Sequence, residues 1–155
     1  MRRPSRWVLL SALVLVLTGC GGPKKPAEDV VEVMIRGNDQ MQYDVNSIRA
    51  RPGQEVRVTL QNIGTMPKTA MAHNFVLLDG TVPPEDFIEA GQAQAATEYI
   101  APAMRLKILA MTRQLGPGEF QTITFKAPQT PGDYPYLCTF PAHFAAGMRG
   151  VLTVE

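Results

Sequence analysis

Apolar and polar side chains alternate in short bursts along most of this chain. Val31-Glu32-Val33-Met34-Ile35 alternates, and Glu55-Val56-Arg57-Val58-Thr59-Leu60 does so again after a Pro52-Gly53 turn. A period of two sets every second side chain on one face, as in a strand with one buried side. Phe120-Gln121-Thr122-Ile123-Thr124-Phe125 follows Gly116-Pro117-Gly118 and reads the same way. Gly132-Asp133-Tyr134-Pro135-Tyr136-Leu137 leads into Cys138, and Gly150-Val151-Leu152-Thr153-Val154 closes the chain. His73-Asn74-Phe75-Val76-Leu77-Leu78 is a denser run stopped by Asp79-Gly80, the pattern of a fully buried strand. Arg105-Leu106-Lys107-Ile108-Leu109-Ala110 is a further strand candidate.

Many short strands punctuated by Gly and Pro predict an all-β chain, a Greek-key β-sandwich. One segment departs from that rhythm. Residues 83–96 are rich in Ala and Gln and carry Pro83, Pro84, Glu85 and Asp86 at their start. Proline and acids at the first turn are how a helix opens, so a helical insertion is expected around 83–100, flanking the sandwich.

The chain before Val30 has a different character. Met1-Arg2-Arg3-Pro4-Ser5-Arg6 is basic, and Trp7 to Leu17 is an apolar run too short to span a bilayer as a mature helix. It ends in Leu17-Thr18-Gly19-Cys20, which resembles a bacterial lipobox, the signal for acylating that Cys. Residues 1–19 are therefore expected to be a lipoprotein signal peptide. Cys20 would carry the lipid, 20–29 would form a flexible Gly-, Pro- and charge-rich tether, and 30–155 would form the domain.

Charge narrows the partners. The 15 Lys and Arg residues, less Arg2, Arg3 and Arg6 of the leader, leave 12 against 14 Asp and Glu. A near-neutral domain lacks the basic stripe that nucleic acid requires, and membrane attachment would come from acyl chains. The chain has two Cys. If Cys20 is acylated, Cys138 is a single thiol in an oxidising compartment, where thiols tend to pair. Metal ligation explains its persistence, and one thiolate excludes a dinuclear, doubly thiolate-bridged copper centre.

Cys138, His143 and Met148 stand in one short stretch. Thiolate and thioether favour Cu(I), and imidazole suits Cu(II), so a mixture of the three points to copper cycling between both states. A further ligand should be a His from elsewhere, and of the two His in the chain the other is His73.

Three stretches, Gly37-Asn38-Asp39-Gln40-Met41-Gln42, Met71-Ala72-His73-Asn74-Phe75-Val76-Leu77, and Cys138-Thr139-Phe140-Pro141-Ala142-His143 with Met148, together resemble an azurin-type cupredoxin, a blue copper protein. The resemblance covers roughly Val30 to Glu155. It implies a trigonal plane of His73, Cys138 and His143, a long axial Met148, and the Ala72 carbonyl weakly on the opposite side. It implies that Asn74 ties the two ligand-bearing segments together. It also implies an apolar electron-transfer patch around the edge of His143, matched by Met41, Met66, Met71, Phe140, Pro141 and Ala142, which Phe144 would join. The chain departs from azurins in a loop one residue longer between His143 and Met148, as in auracyanin-like proteins, and in having no Cys pair for the azurin surface disulfide.

The expected function is single-electron transfer by one type 1 copper between exported or membrane redox partners, such as a cytochrome or a respiratory or photosynthetic complex. The protein would sit on the periplasmic side of a bacterial membrane, held by its lipid. A site closed by four ligands has no open position for substrate, so it is not expected to be an enzyme. The alternative is a periplasmic copper carrier or reservoir, whose sites tend to be open and free of thiolate.

Overall fold

The computed structural model describes residues 29–155; the expected signal peptide and Cys20 lie outside the described residues, as does the expected tether except Asp29. Eight strands appear among the described residues: β1 (Val31–Gly37), β2 (Ser47–Ala50), β3 (Glu55–Asn62), β4 (Val76–Leu78), β5 (Ile108–Met111), β6 (Phe120–Lys126), β7 (Gly132–Leu137) and β8 (Arg149–Val154). They form two sheets, ordered β1-β3-β6 and β2-β8-β7-β4-β5. β1 and β3 pair in parallel, as do β2 and β8, and the remaining pairs are antiparallel. This is the expected β-sandwich.

Alternation decides what fills it. Val56, Val58, Leu60 and Asn62 of β3 all point inward and are buried, while their neighbours are half-exposed. Val56, Val58 and Leu60 meet Ile35, Phe75, Leu77, Leu115, Tyr136 and Leu152 in the main core. β4 is buried at all three positions because both its faces are covered. Leu77 enters the main core, whereas Val76 and Leu78 join a second cluster with Phe87, Ile100, Leu137 and Phe144. The insertion supplies Phe87 and Ile100, so the dense apolar run records a strand sandwiched between sheet and helix.

Several boundaries differ from the sequence reading. The insertion opens as α1 (Pro84–Gly91) and stops there, giving way to 3₁₀ turns at Ala95–Thr97 and Pro102–Lys107. Gly91 ends the helix because Tyr99 returns across it, leaving no room for a side chain: a Cβ there would lie 2.0 Å from the Tyr99 carbonyl oxygen. Pro102 opens the second turn, so the strand expected from Arg105 starts only at Ile108, and Leu106 is fully out in solvent. The strand expected from His73 starts at Val76; His73 itself makes an isolated bridge to Leu115. β2 carries no signal in the sequence, its four residues being too few to show a period.

Candidate metal centre

β7 delivers the sulfur. Tyr136 and Cys138 share a face, two residues apart, and both are fully buried. Past Cys138 the chain makes a compact loop. His143 N–H donates to the Phe140 carbonyl (3.1 Å), Met148 N–H to the His143 carbonyl (2.9 Å), and Cys138 N–H to the Met148 carbonyl (3.1 Å). The loop thus returns Met148 to the backbone of Cys138. His73 is fixed from the other side by a two-way exchange with Leu115, at 3.1 and 2.8 Å.

The side chains converge. His73 Nδ1 and His143 Nδ1 are 3.3 Å apart, and Cys138 Sγ is 3.4 Å from His143 Nδ1. All three donor atoms lie within 4.8 Å of one another, and all three residues are buried. The Ala72 carbonyl oxygen is 3.9 Å from the sulfur. Met148 is buried, and its methyl group shares with the His73 ring the space a side chain at Gly37 would take: a Cβ there would lie 2.8 Å from each. Gly37 is therefore part of the wall of the site.

Burial makes this a poor place for any unpaired charge, so without metal the thiol keeps its proton and the imidazoles stay neutral. Burial pushes the Cys138 thiol up to about 11, although the backbone N–H groups of Asn74 and Phe140 and the Tyr43 hydroxyl offset part of the shift. Burial, and then the charge of His73, takes His143 down to about 4. Burial also lowers His73, against the opposing effects of the Asn38 carbonyl, Asp39 and the Ala72 carbonyl. Near neutral pH the imidazoles are neutral and present lone pairs. One N–H···N bond satisfies the two facing Nδ1 atoms, whereas Nε2 of His73 is buried without a hydrogen-bond partner among the described residues. Two neutral imidazoles, one sulfur and an adjacent thioether suit copper better than a hard cation.

A buried network holds the donors. Asn74 Oδ1 accepts from Thr139 N–H (2.9 Å), and Asn74 Nδ2 donates to Thr139 Oγ1 (2.8 Å). Thr139 follows Cys138 and Asn74 follows His73, so this pair joins the two segments. Tyr43 donates its hydroxyl to the Asn74 carbonyl from the opposite side. Asn62 Nδ2 reaches the carbonyls of Leu115 (3.0 Å) and Met71 (3.2 Å), bracing the His73 segment. Sequence reasoning reached Asn74 but not Thr139, Tyr43, Asn62 or Gly37. Nothing in local pattern distinguishes these from ordinary strand and turn residues.

Around this centre, Met66, Pro141 and Ala142 are exposed, Met41 and Phe140 half-buried, and Met71 and Phe144 buried. Two turns hold the rim together. Asp39 accepts from Thr65 N–H (2.8 Å), which holds its carboxyl below the usual range, and Gln42 Nε2 donates to the Ala146 carbonyl (2.7 Å). His143 is only 1% exposed, beneath the Phe140 ring at a centroid distance of 4.8 Å.

A family profile described as copper binding proteins, plastocyanin/azurin family, matches residues 29–155. The chain belongs to this family. It is 34% identical over 151 residues to azurin from Achromobacter denitrificans, a match spanning 94% of this chain and 97% of that protein. It is 33% identical over 127 residues to outer membrane protein H.8 of Neisseria gonorrhoeae, covering 77% of this chain and 65% of that protein. Among solved structures, the dithionite-reduced auracyanin of Roseiflexus castenholzii superposes with a TM-score of 0.70 at 35% identity, over 81% of this chain and 97% of that one. The fold is that of a cupredoxin, and its cofactor is copper. Family and site together point to blue copper electron transfer, the work of a carrier rather than an enzyme.

Proposed function

We propose that this protein is a lipid-anchored single-electron carrier whose copper would be held by His73, Cys138 and His143, with the Met148 thioether and the Ala72 carbonyl as further, weaker donors. The observation that carries this reading is the convergence of two imidazole Nδ1 atoms and one thiol within 4.8 Å in a buried pocket. When bound, copper supplies the Cu(II)/Cu(I) couple. The chain's own residues keep water out, fix the donors through Asn74 and Thr139, and give up the Cys138 proton on metal binding.

Docking of redox partners falls on the apolar rim made by Met41, Met66, Met71, Phe140, Pro141 and Ala142. Met66, Pro141 and Ala142 present its exposed part, and Phe140 lies between the surface and His143. The partners are redox proteins such as a cytochrome or a respiratory or photosynthetic complex. Residues 1–19 direct export, Cys20 takes the lipid, and 20–29 tether domain 30–155 on the periplasmic side of a bacterial membrane. The likeness to azurins and to an outer membrane protein supports export. No helix among the described residues is long and apolar enough to cross a membrane.

The visible and electron paramagnetic resonance spectra of the Cu(II)-loaded domain, beside Cys138→Ser, test the site. An intense blue band with narrow hyperfine splitting, lost in the variant, is expected. A pale, wide-splitting spectrum indifferent to the substitution would sink the electron-carrier reading in favour of copper handling.

A further inference from the structure

We propose that Glu98, in the loop returning from the helical insertion, is a positioning residue for the copper centre: it locks the His73 segment and the Cys138 loop into one frame. The proposal rests on the copper site described above. Two sets of contacts meet at this residue. Its backbone carbonyl accepts Thr139 Oγ1 at 2.7 Å, one residue beyond Cys138. Its carboxylate accepts the Gln114 backbone N–H at 3.0 Å, and its carbonyl also takes the Gln114 side-chain amide at 3.4 Å. Gln114 immediately precedes Leu115, whose backbone exchanges both hydrogen bonds with His73. Glu98 therefore reaches both ligand segments from a third part of the chain.

The hydroxyl of Thr139 shows how the contacts fit together. With its one proton given to the Glu98 carbonyl, its oxygen is free to accept from Asn74 Nδ2 at 2.8 Å. The chain from Glu98 through Thr139 to Asn74 is thus a single directed series of hydrogen bonds ending beside His73.

The conformation of residue 98 is held from outside this series. Glu98 and Tyr99 both lie in the left-handed region, at φ +58° and +60°, which non-glycine residues occupy only where their surroundings insist. Those surroundings are α1 and its cluster. Gly91 lets the Tyr99 carbonyl close onto the helix end, Ile100 packs beside Phe87, and the Tyr99 ring meets the Phe140 ring edge-on at 5.7 Å. The insertion thereby sets the position of Glu98, and Glu98 passes that position to both ligand segments. Without its carboxylate, the Gln114 N–H loses its partner in a part-buried place, and one of the ties that register the His73 segment against the Cys138 loop is lost.

The test compares the parent domain with Glu98→Ala and Glu98→Gln. Cu(II) affinity is measured by chelator competition, hyperfine splitting by paramagnetic resonance, and amide hydrogen exchange at Gln114 and Thr139 in the metal-free proteins. Glu98→Ala is expected to weaken Cu(II) binding about 10-fold, change the hyperfine splitting, and speed exchange at both amides. Glu98→Gln should restore all three, since its amide oxygen can accept the same N–H. An alanine variant matching the parent in affinity and exchange, or a glutamine variant as poor as alanine, overturns the proposal. If Glu98→Ala does not fold, Glu98→Asp carries the test: it keeps the charge but withdraws the acceptor by one methylene, and parent-like behaviour overturns the proposal equally. A parent without a blue spectrum counts against the copper assignment alone, while metal-free exchange still decides the role of Glu98.

Discussion

Gly37 has no side chain, and the His73 ring and the Met148 methyl close over the space it leaves. A Cβ 2.8 Å from both atoms cannot be accommodated unless both give way or the Gly37 backbone shifts. Gly37→Ala should therefore alter the paramagnetic hyperfine splitting of bound Cu(II) and destabilise the domain by roughly 1–3 kcal/mol, as overpacking does. An unaltered spectrum would show that the wall yields elsewhere. At the same scale, His143 makes a pH prediction for the metal-free protein. Its native pKa, about 4, lies below the value near 6.5 of an unfolded chain. Below about pH 6.5 the unfolded state takes up a proton that the native state does not, so stability is lost as pH falls from about 6.5 to about 4. The loss should reach about 3 kcal/mol, with His73 pulling in the same direction. Urea unfolding at pH 7 and pH 4 measures it, and equal stability at the two values would refute it.

Among elements, β4, β7 and the insertion decide how firmly the site is built. β4 divides its three residues between two cores, and the second core carries Phe144 of the copper loop beside Phe87 of α1. Arg149, at the start of β8, lies over the Phe144 ring at 4.8 Å and 3.8 Å from Glu85 of α1. Such an exposed ion pair contributes little by itself; apolar packing does the holding. The link across segments is Asn74. Asn74→Ala leaves the Thr139 N–H buried without its partner, and should cost roughly 2–3 kcal/mol of metal-free stability. Chemical denaturation measures that cost, and a loss under about 0.5 kcal/mol would mean water or a shifted neighbour replaces the bond.

For the whole molecule, residues 20–155 are close to neutral, and the proposed docking rim is apolar. Weak, brief encounters through such a surface depend little on charge. Electron self-exchange between two copies should accordingly change little with ionic strength. A steep fall with added salt would place docking on a charged patch instead. Copper that binds only the native site also raises stability by mass action, about 4 kcal/mol at a thousandfold excess over Kd. Cys138→Ser should forfeit most of that gain in thermal melts with and without Cu(II).

The sequence by itself carried the strand rhythm, the sandwich class and the three candidate donors that the structure brings together, His73, Cys138 and His143. Alternation is imposed by one buried face, and a chain with two His leaves few choices for a copper plane. It placed a helix after Pro83 but extended it too far, because the return of Tyr99 over Gly91 is a contact between distant positions. The same limit hid Gly37, Tyr43, Thr139 and Glu98. Their neighbours become visible only when the Cys138 loop, the Met71–Asn74 segment and the insertion lie side by side. Ligand chemistry is carried by residue type and is legible in one dimension. The distances that make ligands converge, and the burial that keeps the imidazoles neutral and raises the Cys138 thiol, are set by the packing of segments far apart in sequence, so the tertiary structure alone decided them.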